Sequence, residues 1–226
     1  DGLHVLGGNG SEIVPGLVQR GIHLVRDVTD PEGIERLDQY YQEVLAPNLE
    51  PRQVTCESEA VFLEDGRVYL VAALEESPSV GLGACPDRFA IVAVPTERCG
   101  RFVTLPARAG QPGCRVLFLD DVIRRYAAQL FPEDGSGSKL GAFHAVKLSR
   151  DADLHLEDEF EGDLADAVRR GLAKRPCGSP TRFLYDGTAS AAMISGLRRV
   201  LQLEPEDLVE GGRYHNLRDL RAFPRC

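Results

Sequence analysis

The stretch Cys114-Arg115-Val116-Leu117-Phe118-Leu119-Asp120-Asp121-Val122-Ile123-Arg124-Arg125-Tyr126 changes its period part-way along. The first five residues form a short apolar run bounded by proline, glycine and polar residues, as strands usually are. From Leu119 the apolar positions become Leu119, Val122, Ile123, Tyr126 and Leu130, the spacing of one helix face. Asp120 stands where a helix cap is expected. A strand that feeds directly into a helix predicts sheets covered by helices rather than an all-helical or all-β architecture.

Working upstream, residues 88–94 read as a strand. The runs 60–64 and 67–74 flank Asp65-Gly66, a dipeptide that favours a tight hairpin because both turn positions need positive φ. Before them, Asp30-Pro31 opens a helix: aspartate is a good cap and proline suits the first helical position. Ile34, Leu37, Tyr41, Val44 and Leu45 give that helix one apolar face, and Pro47 stops it. Residues 1–16 are glycine-rich and read as a lead-in.

Downstream, residues 132–141 contain Asp-Gly-Ser-Gly-Ser and read as a surface loop. Residues 143–148 alternate like a half-buried strand, 157–172 form a helix, 181–185 a strand and 191–201 a helix carrying Ile194, Leu197, Val200 and Leu201. Gly211-Gly212 mark a turn before a helical run over 217–222. The pattern predicts an α+β fold: a two-layer α/β sandwich with a mixed β-sheet covered by helices.

Composition bounds the function. The 226 residues carry a formal net charge of −9 and are 43% hydrophobic and 27% charged. That balance is globular, and a chain that grips nucleic acid by itself normally carries a basic excess. Nucleic acid is therefore not an expected partner, and any anion site is local. No apolar run reaches the ~18–20 residues of a membrane span. No signal peptide opens the chain, so the expected compartment is the cytoplasm, with reduced and mostly buried thiols at Cys56, Cys85, Cys99, Cys114, Cys177 and Cys226.

Several tempting motifs dissolve on inspection. Residues 151–166 hold eight carboxylates and no lysine or arginine, which fits a solvated helix start favoured by the macrodipole better than a metal cage. Cys177, His215 and Asp219 lack the flanking pattern of a cysteine nucleophile. Gly7-Gly8-Asn9-Gly10 lacks the spacing and lysine of a phosphate loop. More informative is the run 209–224, where two glycines permit a tight turn and Arg213, His215, Asn216 and Arg218 offer donors suited to an anion or an acidic surface. A capped turn tying the last helix to the sheet explains the same residues.

Gly211-Gly212-Arg213-Tyr214-His215-Asn216, followed by Asp219 and Phe223-Pro224, resembles the end of the head domain of type 1 polyphosphate kinases. Lys147-Leu148-Ser149-Arg150-Asp151-Ala152-Asp153 is similar to that family's Thr-Arg-Asp-Ala strand, with serine in place of threonine. Residues 117–131 resemble its "FL(E/D)DVIR…LFP" helix, residues 101–106 its "RFV-LP" strand, and Gly21-Ile22-His23-Leu24 its entry into the domain. Pro47-Asn48-Leu49-Glu50-Pro51 departs from the family's "P-(I/V)-L-T-P" element.

The resemblance implies that residues 1–20 are a lead-in from an N-terminal helical domain and 21–224 the middle, or head, domain. It implies a parent enzyme that moves the γ-phosphate of ATP reversibly onto polyphosphate, through a phosphohistidine and with Mg2+, as a dimer. The phosphohistidine and metal positions belong to two C-terminal domains, so no catalytic residue and no cofactor is expected on this chain. The expected share of this domain is dimer contact and a wall of the polyphosphate tunnel. Lys147, Arg150, Arg213, His215 and Arg218 are the candidates for those roles. The competing reading is a stand-alone, non-enzymatic module that binds a partner or a phosphorylated ligand.

Overall fold

The computed structural model describes residues 16–55, 61–75, 86–108, 110–132, 139–150 and 180–224. The lead-in glycines, the acidic stretch 151–166, the helix expected over 157–172 and Cys177 lie outside these residues.

Two sheets organise the chain. The larger is mixed, with strands β2 (Arg52–Thr55), β3 (Val68–Glu75), β4 (Arg88–Ala93), β8 (His144–Arg150), β9 (Pro180–Asp186) and β10 (Leu208–Gly211) in the order β10-β9-β8-β3-β4-β2. All its neighbours along that path are antiparallel except β9 and β10. The smaller sheet places β6 (Cys114–Phe118) between β1 (Ile22–Leu24), which is parallel to it, and β5 (Phe102–Pro106), which is antiparallel. A two-residue strand, β7 (Lys139–Leu140), pairs with the end of β3 inside the span expected to be a loop.

Period-two alternation divides the residues of the large sheet between two cores. Val68, Leu70, Ala72, Leu74, Ala90, Val92 and Ala145 face a core shared with the small sheet and helices α1 (Pro31–Tyr40) and α2 (Leu119–Arg125). Tyr69, Val71, Phe89, Ile91, Val146, Leu148 and Phe183 face the other way, onto α3 (Ala191–Leu201), which contributes Met193, Ile194, Leu197, Val200 and Leu201. The α+β class with a mixed sheet covered by helices is as the sequence predicts.

The helices begin where their caps say. Asp30 accepts a hydrogen bond from the Gly33 amide at 2.9 Å, with Pro31 in the first turn. Ser190 accepts from the Met193 amide at 3.2 Å, and α3 closes on Gln202 in the left-handed region. Pro47 does not stop α1 outright: the helix continues as a π turn over Tyr41–Leu45, and Pro47 sits at the start of a 3-10 turn, Ala46–Asn48. Leu37, Tyr41 and Leu45 are buried, while Val44 points outward.

Three expectations need correction. Asp65-Gly66 is no hairpin tip: 61–64 is not a strand, β3 pairs with β4 and β8, and only Gly66 takes a positive φ, 70°. The turn docks on β8 instead, with the Gly66 amide donating to the Leu148 carbonyl at 2.8 Å. Asp120 does not cap α2; Phe118 holds the cap position, and Asp120 is buried in the first turn. Cys114 is disulfide-bonded rather than reduced, whereas Cys99 is free. Spacing along the chain says nothing of which thiols meet in space.

Gly196 shows how closely α3 lies on the sheet. A Cβ there would meet the Pro86 carbonyl oxygen at 2.3 Å and the Phe89 ring at 2.7 Å. Alanine normally stabilises a helix interior over glycine by about 1 kcal/mol. Here Gly196→Ala is expected to destabilise by about 1–3 kcal/mol through overpacking, read as a lowered midpoint in urea unfolding. A raised midpoint contradicts this packing.

Candidate functional site

The C-terminal run 209–224 lies across the joint between the two sheets. β10 ends at Gly211, where a Cβ would stand 2.8 Å from the Leu184 side chain and 3.3 Å from the His215 ring. Glycine is what lets the chain turn this close to β9. Beyond the turn, Tyr214 stacks on Phe118 of β6, ring centroids 3.9 Å apart, and its hydroxyl donates to Asp121.

Asp121 is an acceptor hub. The same carboxylate takes Arg124 at 3.0 Å and Arg213 at 2.7 Å. Beside it, Arg101 and Asp120 form a pair whose side chains are only 2% and 0% exposed. The guanidinium donates to one Asp120 oxygen at 3.1 Å and lies 2.9 Å from the other, the latter an ion contact off the hydrogen-bond angle. The Arg101 group also donates to the His215 carbonyl at 3.2 Å and lies 3.7 Å from Asp219. Burial pushes the Asp120 carboxyl up, and the Arg101 and Arg124 charges oppose that shift.

His215 is buried, with Nε2 2.9 Å from the Ala145 carbonyl of β8. A carbonyl only accepts, so Nε2 carries the proton. Burial pushes this imidazole below its ordinary value, which keeps it neutral. Arg213 and His215 thus hold the chain end to the sheets. Asp219 turns to Arg101.

Arg150 also makes structural contacts. Its Nε and one terminal nitrogen each donate to the Leu63 carbonyl at 3.2 Å, and its guanidinium lies over the Phe62 ring, 4.5 Å from the centroid. Lys147 and Arg218 differ. Val146 and Leu148 face α3, so Lys147 faces the opposite side of β8. Its ammonium donates to the Asn216 carboxamide at 2.6 Å. Arg182 joins it on that side: it stands opposite Ser149 on β9, its neighbour Phe183 faces α3, and its own side chain is exposed. Arg218 is exposed too, on the 3-10 turn Leu217–Ala222.

Arg182 and Arg218 are each within electrostatic reach of Lys147. Burial lowers the Lys147 proton affinity most, Arg218 and Arg182 lower it further, and Asp65 and Asp219 oppose them. Three positive groups against two carboxylates leave a local excess in a chain of net charge −9. Among the described residues, no side-chain hydrogen bond or ion pair occupies Arg182 or Arg218. The Lys147 ammonium keeps two of its three donors.

Sequence reasoning named Lys147 and Arg218 but missed Arg182. Its signal was the alternation of the strand 181–185, which places residue 182 away from the core. It also missed Arg101 and Asp121. The one visible hint was the pair Asp120-Asp121 followed at helical spacing by Arg124.

The family model described as polyphosphate kinase middle domain matches residues 33–223. The chain belongs to the polyphosphate kinase middle-domain family. It is 28% identical over 217 residues to a polyphosphate kinase of Vibrio vulnificus, covering 95% of this chain and 30% of that protein. It is also 28% identical over 190 residues to the polyphosphate kinase of Escherichia coli K12, covering 83% and 26%. Its fold matches the crystal structure of polyphosphate kinase from Porphyromonas gingivalis with a TM-score of 0.73 and 28% identity, over 95% of this chain and 29% of that one. The chain thus spans under a third of the length of these relatives.

Two outcomes test the buried cluster. Asp120→Ala strands the Arg101 charge and is expected to cost about 3–5 kcal/mol, whereas Arg213→Ala, at the half-open rim, costs about 1 kcal/mol; equal losses in urea unfolding contradict this ordering. For His215, whose folded proton affinity is depressed, the unfolded chain takes up the proton first. Stability is therefore expected to fall as pH drops below about 6.5, the unperturbed histidine value. His215→Gln flattens that dependence; an unchanged slope shows that another group carries it.

Proposed function

We propose that this domain serves a polyphosphate kinase, which transfers the terminal phosphate of ATP reversibly to a polyphosphate chain, and that it supplies a polyphosphate-facing surface. The single supporting observation is Lys147 and Arg182 on one side of β8 and β9, with Arg218 of the strap in electrostatic reach of Lys147 and donors left unfilled among the described residues. A polyphosphate carries repeated negative charges on a flexible backbone. Cations set side by side on a rigid strand pair answer that pattern without needing a shaped pocket. Arg150, Arg213 and His215 serve the same surface indirectly, by fixing β8 and the chain end that frame it.

The division of labour follows from the chemistry. Phosphoryl transfer needs metal and convergent cations around the moving phosphate. Among the described residues no three His, Cys, Asp or Glu side chains gather as they would around a metal ion. ATP, Mg2+ and the phosphohistidine are assigned to other parts of the parent, in keeping with its greater length. Dimerisation through this domain and a cytoplasmic location complete the proposal. Among the described residues no helix is long and apolar enough to cross a membrane.

The purified 226-residue chain, given ATP and Mg2+, is expected to form no polyphosphate, yet to retain radiolabelled polyphosphate on a filter at low salt and release it as salt rises. Synthesis by this chain, with contaminating kinase excluded, overturns the division of labour. Failure to retain polyphosphate at low salt overturns the surface.

A further inference from the structure

We infer that Asn216 is a positioning residue, whose carboxamide sets the Lys147 ammonium in place for the anion; this rests on the polyphosphate-facing reading of that surface.

Asn216 sits at φ 59° and ψ 58°, in the left-handed region that side chains other than glycine, asparagine and aspartate seldom enter. The strap around it is fixed: the Arg101 guanidinium holds the His215 carbonyl on one side and reaches Asp219 on the other. Its carboxamide is oriented by two unlike partners. Oδ1 accepts from Lys147 at 2.6 Å, and Nδ2 donates to the Gly66 carbonyl at 3.4 Å. An ammonium has only donors and a carbonyl only acceptors, so the amide has one sensible orientation.

Two consequences follow for an anion. A lysine stem is otherwise free to sample many rotamers, and ordering it opposes binding. Held beforehand by Asn216, Lys147 presents its two remaining donors with that ordering already done. The carboxamide also does this without charge. An aspartate at 216 tolerates the same backbone, yet it would cancel the ammonium in a cluster where Asp65 and Asp219 already offset part of the positive field. A neutral acceptor is the one that orients the cation and leaves its charge for the ligand.

The test is calorimetric titration of the 226-residue chain with inorganic tripolyphosphate at low ionic strength, alongside thermal unfolding and the 13Cε shift of Lys147. Asn216→Gly keeps the left-handed backbone and removes only the carboxamide. It is expected to leave the unfolding midpoint in place and weaken binding by about three- to tenfold, with the Lys147 signal shifted. Asn216→Asp weakens binding further than glycine does; equal or tighter binding refutes the charge argument. Binding by Asn216→Gly as tight as wild type, with Lys147→Ala weakened, sinks the positioning role alone. Wild-type binding by Lys147→Ala sinks the polyphosphate-facing reading together with it.

Discussion

The buried pair between Arg101 and Asp120 is the constraint on which the rest of the structure hangs. Taking two charges out of water costs several kcal/mol per ion, which their close mutual attraction offsets while either charge left alone would be stranded. Here the groups come from three stretches of the chain. Arg101 precedes β5, Asp120 opens α2, His215 supplies a carbonyl and Asp219 a carboxylate from the C-terminal strap. Gathering two carboxylates and a carbonyl around that one guanidinium fixes the small sheet, the helix that follows it and the end of the chain relative to one another. Apolar contacts alone would tolerate sliding; a planar fork of donors does not.

Asp121, next in sequence, extends the constraint. Successive helical residues point about 100° apart, so Asp120 and Asp121 address different partners. One looks to Arg101, the other to Arg124, Arg213 and the Tyr214 hydroxyl. Both carboxylates lie in the first turn of α2, where the helix dipole favours negative charge. That placement reduces the cost of burying two acids side by side. Phe118, immediately before them, stacks on Tyr214 and sits beneath the Arg101 guanidinium, so the same three-residue corner supplies the apolar and the ionic hold.

How much of this was legible in the sequence depended on whether the signal was local. The Asp30-Pro31 cap, the α3 face and the strand-to-helix change at Phe118 depend on a few neighbouring residues, and the structure follows them. Asp65-Gly66 looked equally local, but the hairpin reading failed because β3 finds longer partners in β4 and β8. Asp120 was read as a cap because caps and buried first-turn acids are the same residue type; only the distant Arg101 separates them. β1, β7 and β10 have two to four residues each, too short to show a period, and β1 and β10 are parallel to their partners, so no turn announces them. Arg213 and His215 were chosen for donors that suit an anion. In the structure one Arg213 nitrogen meets Asp121, and His215 Nε2 meets the Ala145 carbonyl.

The same logic explains how an acidic chain keeps a basic face. Charge is sorted by partner here, not by sequence position. The arginines at the joint, 101, 124 and 213, each meet a carboxylate, and Arg150 meets a carbonyl and a ring. What remains on the side of β8 and β9 away from α3 is set by strand alternation. Leu148 and Phe183 must face α3, so Lys147 and Arg182 must face away from it. A one-residue slip of either strand would bury a cation under α3 and expose a core residue. The register that protects the hydrophobic core therefore also fixes the positions of the cations, and the strap completes the group by bringing Arg218 and Asn216 across the joint. The surface proposed to meet polyphosphate is thus a consequence of how the core packs, which is why it needs no basic motif in the sequence to announce it.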